Sequence, residues 1–287
     1  MVELINMAPF FVINARGEKE PFSFQKVYRS AKRAGAPQKT ARKIAETIEK
    51  EAYPGIKTYE IFSRIKQLLR GKAPDAALRF NIKEGMRKLG PTGFPFEKYV
   101  GEIFSKKGFK VRFNQYIPGL CAGPYEIDFL AQKDSLVYLG ECKYRRLAGE
   151  RIHLDIALAN YARFMDIKKG SYFKDRNLQI KSILATNTKF TSQVIRFSRC
   201  VGVELLGWRY PKKQGLEYLI EKERLYPITI LPSLSRFLTS IFVERKMMLA
   251  KDLLRINPKR FVKETNIPEN RLLSLIKEAG VLLGEKV

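Results

Sequence analysis

The chain has 287 residues, enough for one to three domains with a real core, and 45% of them are hydrophobic. Its net charge of +25 predicts a polyanionic partner, nucleic acid in the first place and an anionic membrane surface in the second. Because it has three cysteines without CxxC spacing, one histidine, no signal-peptide pattern and no apolar run of roughly 18 residues, we expect no disulfide framework, no Cys/His zinc site, no membrane partner and a cytoplasmic location.

Residues 1–93 are predicted to form a mainly helical first domain. FFVIN (10–14) is a short apolar strand, ARGEKEP (15–21) turns the chain, and Ser23 is placed to cap a helix. The Pro/Gly-rich segment GPTGFP (90–95) predicts a domain boundary. Helical spacing of apolar residues predicts three more helices, over 37–52, 59–69 and 73–89.

Residues 94–222 are predicted to form a second domain around a mixed α/β sheet. Its elements follow the order helix, three strands, helix, strand, helix, strand, which is typical of a sheet flanked by helices. Two short apolar runs joined by a polar turn lie within 125–146. The other predicted strands cover 110–117, 180–187 and 203–208, and the predicted helices cover 96–108, 155–167 and 191–200.

Residues 223–287 have helical periodicity without convincing strands and are predicted to form a small helical C-terminal domain. The segment 256–283 has helix-turn-helix spacing that vaguely resembles helix-hairpin-helix modules, although it lacks their GxG hairpin. Contacts with the DNA backbone, dimerisation and packing on the second domain are all compatible with this pattern.

Charged residues interrupt the two apolar runs of 125–146. Asp128 sits between two apolar residues, and Glu141 and Lys143 flank Cys142. Because residues i and i+2 of a strand face the same side, Glu141 and Lys143 point together, and Asp128 on the neighbouring strand can meet them. Two carboxylates hold Mg²⁺ while leaving positions for water and a phosphate, and a lysine stabilises developing negative charge. The pattern predicts metal-dependent hydrolysis; a structural salt-bridge cluster is the alternative.

The arrangement Asp128…Glu141-Cys142-Lys143 resembles the motif of the PD-(D/E)xK nuclease superfamily, without the proline of the motif's label. The turn ATNTKFT (185–191) resembles that of Mrr-like restriction endonucleases, and the likeness covers about 94–210. The resemblance implies a restriction-endonuclease-like fold and Mg²⁺ or Mn²⁺ as cofactor. It implies Asp128, Glu141 and the Cys142 backbone carbonyl as metal ligands, Lys143 as the catalytic lysine, and Glu97 as a further acidic residue of the catalytic site.

Four residues near this site are candidate DNA contacts. Lys189 and Thr191 stand at the start of a predicted helix, where backbone N–H groups favour phosphate. Arg145 and Arg146 belong to the basic run KYRR. A helix cap is the alternative role for the first pair, and a solvated edge is the alternative for the arginines.

The stretch VINARGEKEPFSF (12–24), followed by Gln25-Lys26-Val27, resembles the ATP-cone, a nucleotide-binding domain of ribonucleotide reductases and of their transcriptional repressor. The resemblance covers about 10–92 and implies that Val12, Arg16, Lys26 and Arg29 surround ATP or dATP. The chain has Asn14-Ala15 where the family usually has Lys-Arg before the turn. A retained fold that no longer binds nucleotide is therefore the alternative.

These patterns predict a metal-dependent DNA endonuclease of restriction or repair, regulated by ATP or dATP. Since many nucleases of this kind cut both strands as dimers, a homodimer is expected. The alternative function is a non-catalytic, nucleotide-responsive DNA-binding regulator.

Overall fold

A computed structural model describes residues 10–89, 96–147, 149–174 and 177–285. The chain forms two compact units, residues 1–82 with 280–287 and residues 83–279. The segment 90–95, where the first domain boundary was predicted, lies outside the described residues. The predicted domains were 1–93, 94–222 and 223–287, and this division stays a prediction. The first compact unit's main segment ends at residue 82.

The first unit begins with a β-hairpin and continues with helices. Ser23 caps the first helix as predicted, since its hydroxyl accepts the Lys26 N–H at 3.2 Å. Its core is aliphatic and includes Val12, Ile44 and Leu69, with 5%, 0% and 0% of their surface exposed. The hairpin pairs β1 (Phe11–Ile13) with β2 (Lys19–Pro21), and the helices are α1 (Phe24–Arg33), α2 (Gln38–Glu51), α3 (Thr58–Lys72) and α4 (Pro74–Phe80).

The single helix predicted over 73–89 is wrong, because two helices cover it. After α4, the Asn81 N–H bonds the carbonyl of Leu78, three residues back, at 3.0 Å. This tighter turn ends α4, and α5 (Ile82–Leu89) starts directly after it. The turn coincides with the end of the first unit's main segment at residue 82.

The second unit is built on a five-stranded mixed sheet, which confirms the predicted α/β class. Its strand order is β3-β4-β5-β7-β9; the first three strands pair antiparallel and the last three parallel. A separate parallel pair joins β6 to β8. The strands are β3 (Lys110–Ile117), β4 (Tyr125–Lys133), β5 (Leu136–Lys143), β6 (Arg151–Ile152), β7 (Gln179–Thr186), β8 (Lys189–Phe190) and β9 (Glu204–Leu206).

Helices cover the sheet. On α6 (Phe96–Lys106), Phe104 packs against Phe129 of β4, with 5.2 Å between ring centroids. The apolar stripe of α7 (Leu154–Lys169), which includes Phe164 and Ile167, joins a buried cluster with side chains of β4 and β5. Thr191 caps α8 (Ser192–Val201), which packs beside β7 and β9. These helices match the predicted segments to within a few residues.

The rest of the second unit is helical, as predicted for this part of the chain. Thr229 donates a hydrogen bond to the Gly85 carbonyl at 2.7 Å, and Tyr99 donates one to the Leu225 carbonyl, so this region holds both α5 and α6. None of the described helices is both long and apolar enough to cross a membrane. The helices are α9 (Leu216–Lys222), α10 (Arg236–Glu244), α11 (Ala250–Leu253), α12 (Pro258–Thr265) and α13 (Glu269–Leu283), with a 3-10 turn at Ile228–Ile230. The residues of α13 from Gly280 onwards are assigned to the first unit.

Candidate active site

The hairpin of β4 and β5 fixes which side chains face which helix. Its register runs from Lys133–Leu136 at the turn to Phe129–Gly140 at the open end. The Phe129 ring of β4 lies over Gly140 of β5, and a Cβ at Gly140 would overlap this ring. Because strand side chains alternate, Asp128 and Glu141, the next residues along, point to the opposite face, where α7 lies.

The two strands separate at Asp128. Beyond Phe129–Gly140 the backbone ladder stops, and the Asp128 carboxylate instead accepts the Cys142 N–H at 2.6 Å. Three of the predicted catalytic residues, Asp128, Glu141 and Lys143, therefore come together at the wall of one cavity of about 640 Å³. The cavity is lined by Pro124, Tyr125, Glu126, Asp128, Glu141, Lys143, Ala159, Ala162 and Arg163.

Glu141 is the most buried charge of the cavity, with only 6% of its side chain exposed. Its two oxygens are shared between two cations: the Lys143 ammonium lies 2.5 Å from one, and the Arg163 guanidinium lies 2.6 Å from the other. Arg163 also donates to the Glu126 carbonyl at 3.3 Å. Since an unpaired buried carboxylate is costly, the two ion pairs offset the cost of burying Glu141.

The pKa of Asp128 is affected more by burial than by its neighbouring cation. Burial raises the pKa of Asp128 to about 6, with smaller raising effects from the charges of Glu141 and Glu97. The Cys142 N–H and Lys143 lower the pKa but do not cancel the effect of burial. Glu97 on α6 is therefore electrostatically coupled to Asp128, although it does not line the cavity. The Asp128 side of the cavity carries negative charge that a cation would neutralise.

The donor set fits a hard divalent cation. Asp128 offers a carboxylate oxygen, and Glu141 would offer the one now beside the Lys143 ammonium. Mg²⁺ and Mn²⁺ prefer such oxygens, and the cavity leaves room for water and phosphate oxygens. The Cys142 N–H points to Asp128, and the carbonyl of the same strand residue faces the same neighbouring strand. Among the described residues, no three Asp, Glu, His or Cys side chains form a cation cluster by themselves. Two carboxylates, a carbonyl, water and substrate would complete the coordination.

Arg163 was not predicted from the sequence, although a signal was present. It lies three residues after the buried Asn160 and four before the buried Ile167, which places it on the inward face of α7. An arginine at an inward position of a helix that covers a sheet indicates a buried acidic partner. The partner here is Glu141, on the strand below.

Asn187 is a second residue whose role the sequence did not indicate. Its amide accepts the Arg145 N–H at 2.8 Å and donates to the Arg145 carbonyl at 2.7 Å. Thr186 donates to the Lys143 carbonyl at 2.6 Å. The end of β7 thus fixes the backbone that leaves β5, and with it the position of Lys143.

The four predicted DNA contacts have different surroundings. Arg146 and Lys189 are exposed, and Arg145 is half-buried with its guanidinium 3.3 Å from the Tyr144 carbonyl. The Thr191 hydroxyl accepts the Val194 N–H at 3.4 Å and serves as the cap of α8. The side chains of Lys189 and Arg146 are accessible to a ligand, whereas the Thr191 hydroxyl is hydrogen-bonded to the first turn of α8.

The predicted nucleotide contacts lie in the first unit. The Val12 side chain is 5% exposed and belongs to the core, so it cannot offer a side-chain contact to a ligand in solvent. Arg16 lies 3.6 Å from Glu18, and Lys26 lies 3.1 Å from Glu20. Arg29 is exposed on α1.

Comparison with known proteins finds a family model, a sequence relative and a solved structure that resemble parts of the chain. A family model described as AF1548-like, C-terminal, matches residues 226–283. A protein of Archaeoglobus fulgidus, described as uncharacterized, is 29% identical over 185 residues, which make up 64% of this chain and 100% of that protein. The crystal structure of a protein of unknown function, AF1548, has 30% sequence identity and a TM-score of 0.53, covering 65% of this chain and 96% of that one.

The chain belongs to the AF1548-like family. The matched C-terminal region of this AF1548-like protein includes α10, α11, α12 and α13, so the helical segment is part of the family's architecture. The solved AF1548 structure also supports the mixed α/β fold. Both relatives are described without an activity, so the chemistry of the AF1548-like chain is argued from its cavity.

Proposed function

We propose that this protein is a metal-dependent DNA endonuclease with its active site in the cavity of Asp128, Glu141 and Lys143. The convergence of these three side chains, from two strands that separate at Asp128, is the observation that carries the proposal. The net charge of +25 supports a polyanionic substrate. The likeness of the motif to PD-(D/E)xK nucleases supports DNA as that substrate.

The residues of the cavity have different roles in the proposed phosphodiester hydrolysis. Asp128, Glu141 and the Cys142 carbonyl would hold Mg²⁺ or Mn²⁺, which supplies Lewis-acid catalysis when bound. Lys143 is positioned to orient the attacking water and to stabilise negative charge on the phosphate. The water oxygen bonds to phosphorus as the bond to the 3′-oxygen breaks, the water proton passes to solvent and the leaving oxygen gains one. The product then carries a 5′-phosphate, as the resemblance implies.

Cleavage of plasmid DNA tests the proposal. Purified protein is incubated with supercoiled, linear and branched DNA in Mg²⁺ or Mn²⁺, beside Asp128→Asn, Lys143→Met and the control Lys110→Gln. Asn keeps an oxygen for the Cys142 N–H but loses the charge, so the variant separates chemistry from folding. We expect each active-site variant to lose about 100-fold or more in rate, as is typical when a charge-stabilising group is removed. The exposed Lys110 should be dispensable.

Two outcomes would contradict this function. Full cutting by Asp128→Asn would place the nuclease centre elsewhere or attribute cutting to a contaminant. DNA binding in EDTA without cutting of any of the substrates in Mg²⁺ or Mn²⁺ would favour the alternative, a nucleotide-responsive DNA-binding regulator.

The regulatory part of the proposal is that the first unit binds ATP or dATP. Support comes from the ATP-cone resemblance and from the exposed cations Arg16, Lys26 and Arg29 on the hairpin turn and α1. Because Glu18 and Glu20 already pair with Arg16 and Lys26, a triphosphate would have to displace these carboxylates. A homodimer, which would bring two cavities to the two strands of a duplex, remains part of the same proposal.

A further inference from the structure

A basic surface adjoins the candidate active site, at the edge of the sheet where its parallel strands end. β5 ends at Lys143, β7 at Thr186 and β9 at Leu206, and the carboxyl ends of parallel strands share one edge. Ligands of open α/β sheets bind at this edge. The chain segments that continue from it carry Lys189 and Arg209.

Backbone hydrogen bonds hold these two cations near one another. The Trp208 N–H donates to the Thr188 carbonyl at 2.8 Å, which holds the two chain segments together. Lys189 follows Thr188 and Arg209 follows Trp208, so the two cations lie next to this hydrogen bond. Both side chains are exposed. Arg209 forms a bidentate pair with Glu217 at 2.6 and 2.9 Å, which keeps its guanidinium at a fixed place.

Helix α5 brings two more cations to the same edge. The Tyr144 hydroxyl, one residue after Lys143, donates to the Arg87 carbonyl, which ties α5 to the end of β5. Thr229 holds the same helix through the Gly85 carbonyl at 2.7 Å. Partial burial of its ammonium lowers the pKa of Lys83, and the neighbouring charges of Lys189, Arg209 and Arg87 lower it further. Glu217 acts in the opposite sense. Together with the hydrogen bonds of Trp208 and Tyr144, these interactions place the four cations at one edge of the sheet.

The group has an excess of unneutralised positive charge. Arg87 pairs with Glu84, and Arg209 pairs with Glu217. In the part of the chain that the structure describes, neither Lys83 nor Lys189 forms an ion pair. The four cations are thus accompanied by two acids, and this excess of like charge costs free energy unless a polyanion neutralises it.

We propose that Lys83, Arg87, Lys189 and Arg209, together the basic strip, bind the backbone phosphates of duplex DNA next to the phosphate that enters the cavity. The inference rests on the proposed nuclease function and deepens it. It reassigns α5, which the sequence grouped with the nucleotide domain, to substrate binding. Lys83 and Lys189 are the strip residues whose charge is free to neutralise phosphate.

The salt dependence of DNA binding tests the strip. Anisotropy of a fluorescein-labelled 30-base-pair duplex is measured with the full chain in EDTA over a range of KCl concentrations. Each phosphate contact contributes about 0.9 to the slope of log K against log salt. The double variant Lys83→Gln/Lys189→Gln should therefore lower the slope by about 1.8. The matched control Lys110→Gln/Lys174→Gln removes two exposed lysines near the opposite ends of the strands and should leave the slope unchanged.

The outcomes separate the strip from the proposed function. If the wild type binds DNA and the strip variant Lys83→Gln/Lys189→Gln has the same salt slope as the wild type and the control, the basic strip is overturned while the nuclease proposal stands. If the wild type does not bind DNA even at low salt, both proposals fail together. Circular dichroism melting of each variant, with midpoints equal to that of the wild type, confirms that a reduced slope reflects lost contacts and not unfolding.

Discussion

At the scale of single residues, the pairing of Glu141 decides both stability and chemistry. Only 6% of the Glu141 side chain is exposed, and Lys143 and Arg163 are its two cationic partners. Lys143 would turn towards the phosphate during the proposed reaction, so Arg163 is the partner that stays. Arg163 is thus a positioning residue, since it acts through Glu141.

Replacing Arg163 by methionine should destabilise the protein. The change keeps the apolar stem of the side chain but leaves one Glu141 oxygen unpaired under the sheet. Hydrogen bonds to charged groups contribute about 1.5–3 kcal/mol each, so we expect a loss in that range from the free energy of unfolding in urea. Arg196→Met, an exposed arginine on α8, should stay within about 0.5 kcal/mol of the wild type.

A double-mutant cycle with Glu141→Gln identifies the cause of that loss. If Arg163 stabilises by neutralising Glu141, then Arg163→Met should cost clearly less once residue 141 carries no charge. Equal costs in both backgrounds would show that the arginine contributes through packing alone.

At the scale of elements, the β3–β4 connection depends on one carboxylate of α7. Asp166 accepts the N–H groups of Cys121 and Ala122 at 2.9 and 3.1 Å and the Tyr125 hydroxyl at 3.0 Å. These hydrogen bonds, that of the Cys121 N–H first, lower the pKa of Asp166 below its ordinary value of 3.8. Pro124 and Tyr125, which line the cavity, follow directly from this connection.

The lowered pKa predicts a pH-dependent contribution of Asp166 to stability. A carboxyl whose pKa is depressed on folding stabilises fully above its ordinary pKa of 3.8, and the contribution disappears as the pH falls through the folded value. Asp166→Asn should therefore lower the melting temperature at pH about 6, and the difference from the wild type should shrink towards pH about 3. The exposed Glu244→Gln is the control. A constant difference across this range would contradict the anchoring role.

Most helices and strands could be predicted from the sequence because local patterns of residues determine them. Alternation along β3, the Ser23 cap and the apolar stripe of α7 need only neighbours in the chain. The triad Asp128, Glu141 and Lys143 was predictable because strand parity and a hairpin place them together. The Arg163 pairing was not, since it joins residues 22 apart across a helix–strand contact. Nor was the break at Asn81, which depends on an i to i−3 bond rather than on composition.

At the scale of the whole molecule, two compact units are joined in one chain, and only the second contains the cavity. Of the predicted nucleotide contacts, Val12 is buried in the first unit's core, whereas Arg16, Lys26 and Arg29 are exposed. Because a net charge of +25 favours non-specific association with polyanions, heat released by ATP alone would not establish a nucleotide site.

Reciprocity provides the sharper test of regulation. If ATP or dATP changes the affinity for DNA by some factor, DNA must change the affinity for the nucleotide by the same factor. We expect calorimetric titration of the full chain in EDTA to give a saturable site that Lys26→Gln/Arg29→Gln abolishes and that Lys110→Gln/Lys174→Gln leaves intact. Repeating the titration with saturating duplex should change the affinity by the factor measured for DNA with saturating nucleotide. A site whose affinity is the same with and without DNA would show that the first unit binds nucleotide without regulating DNA binding.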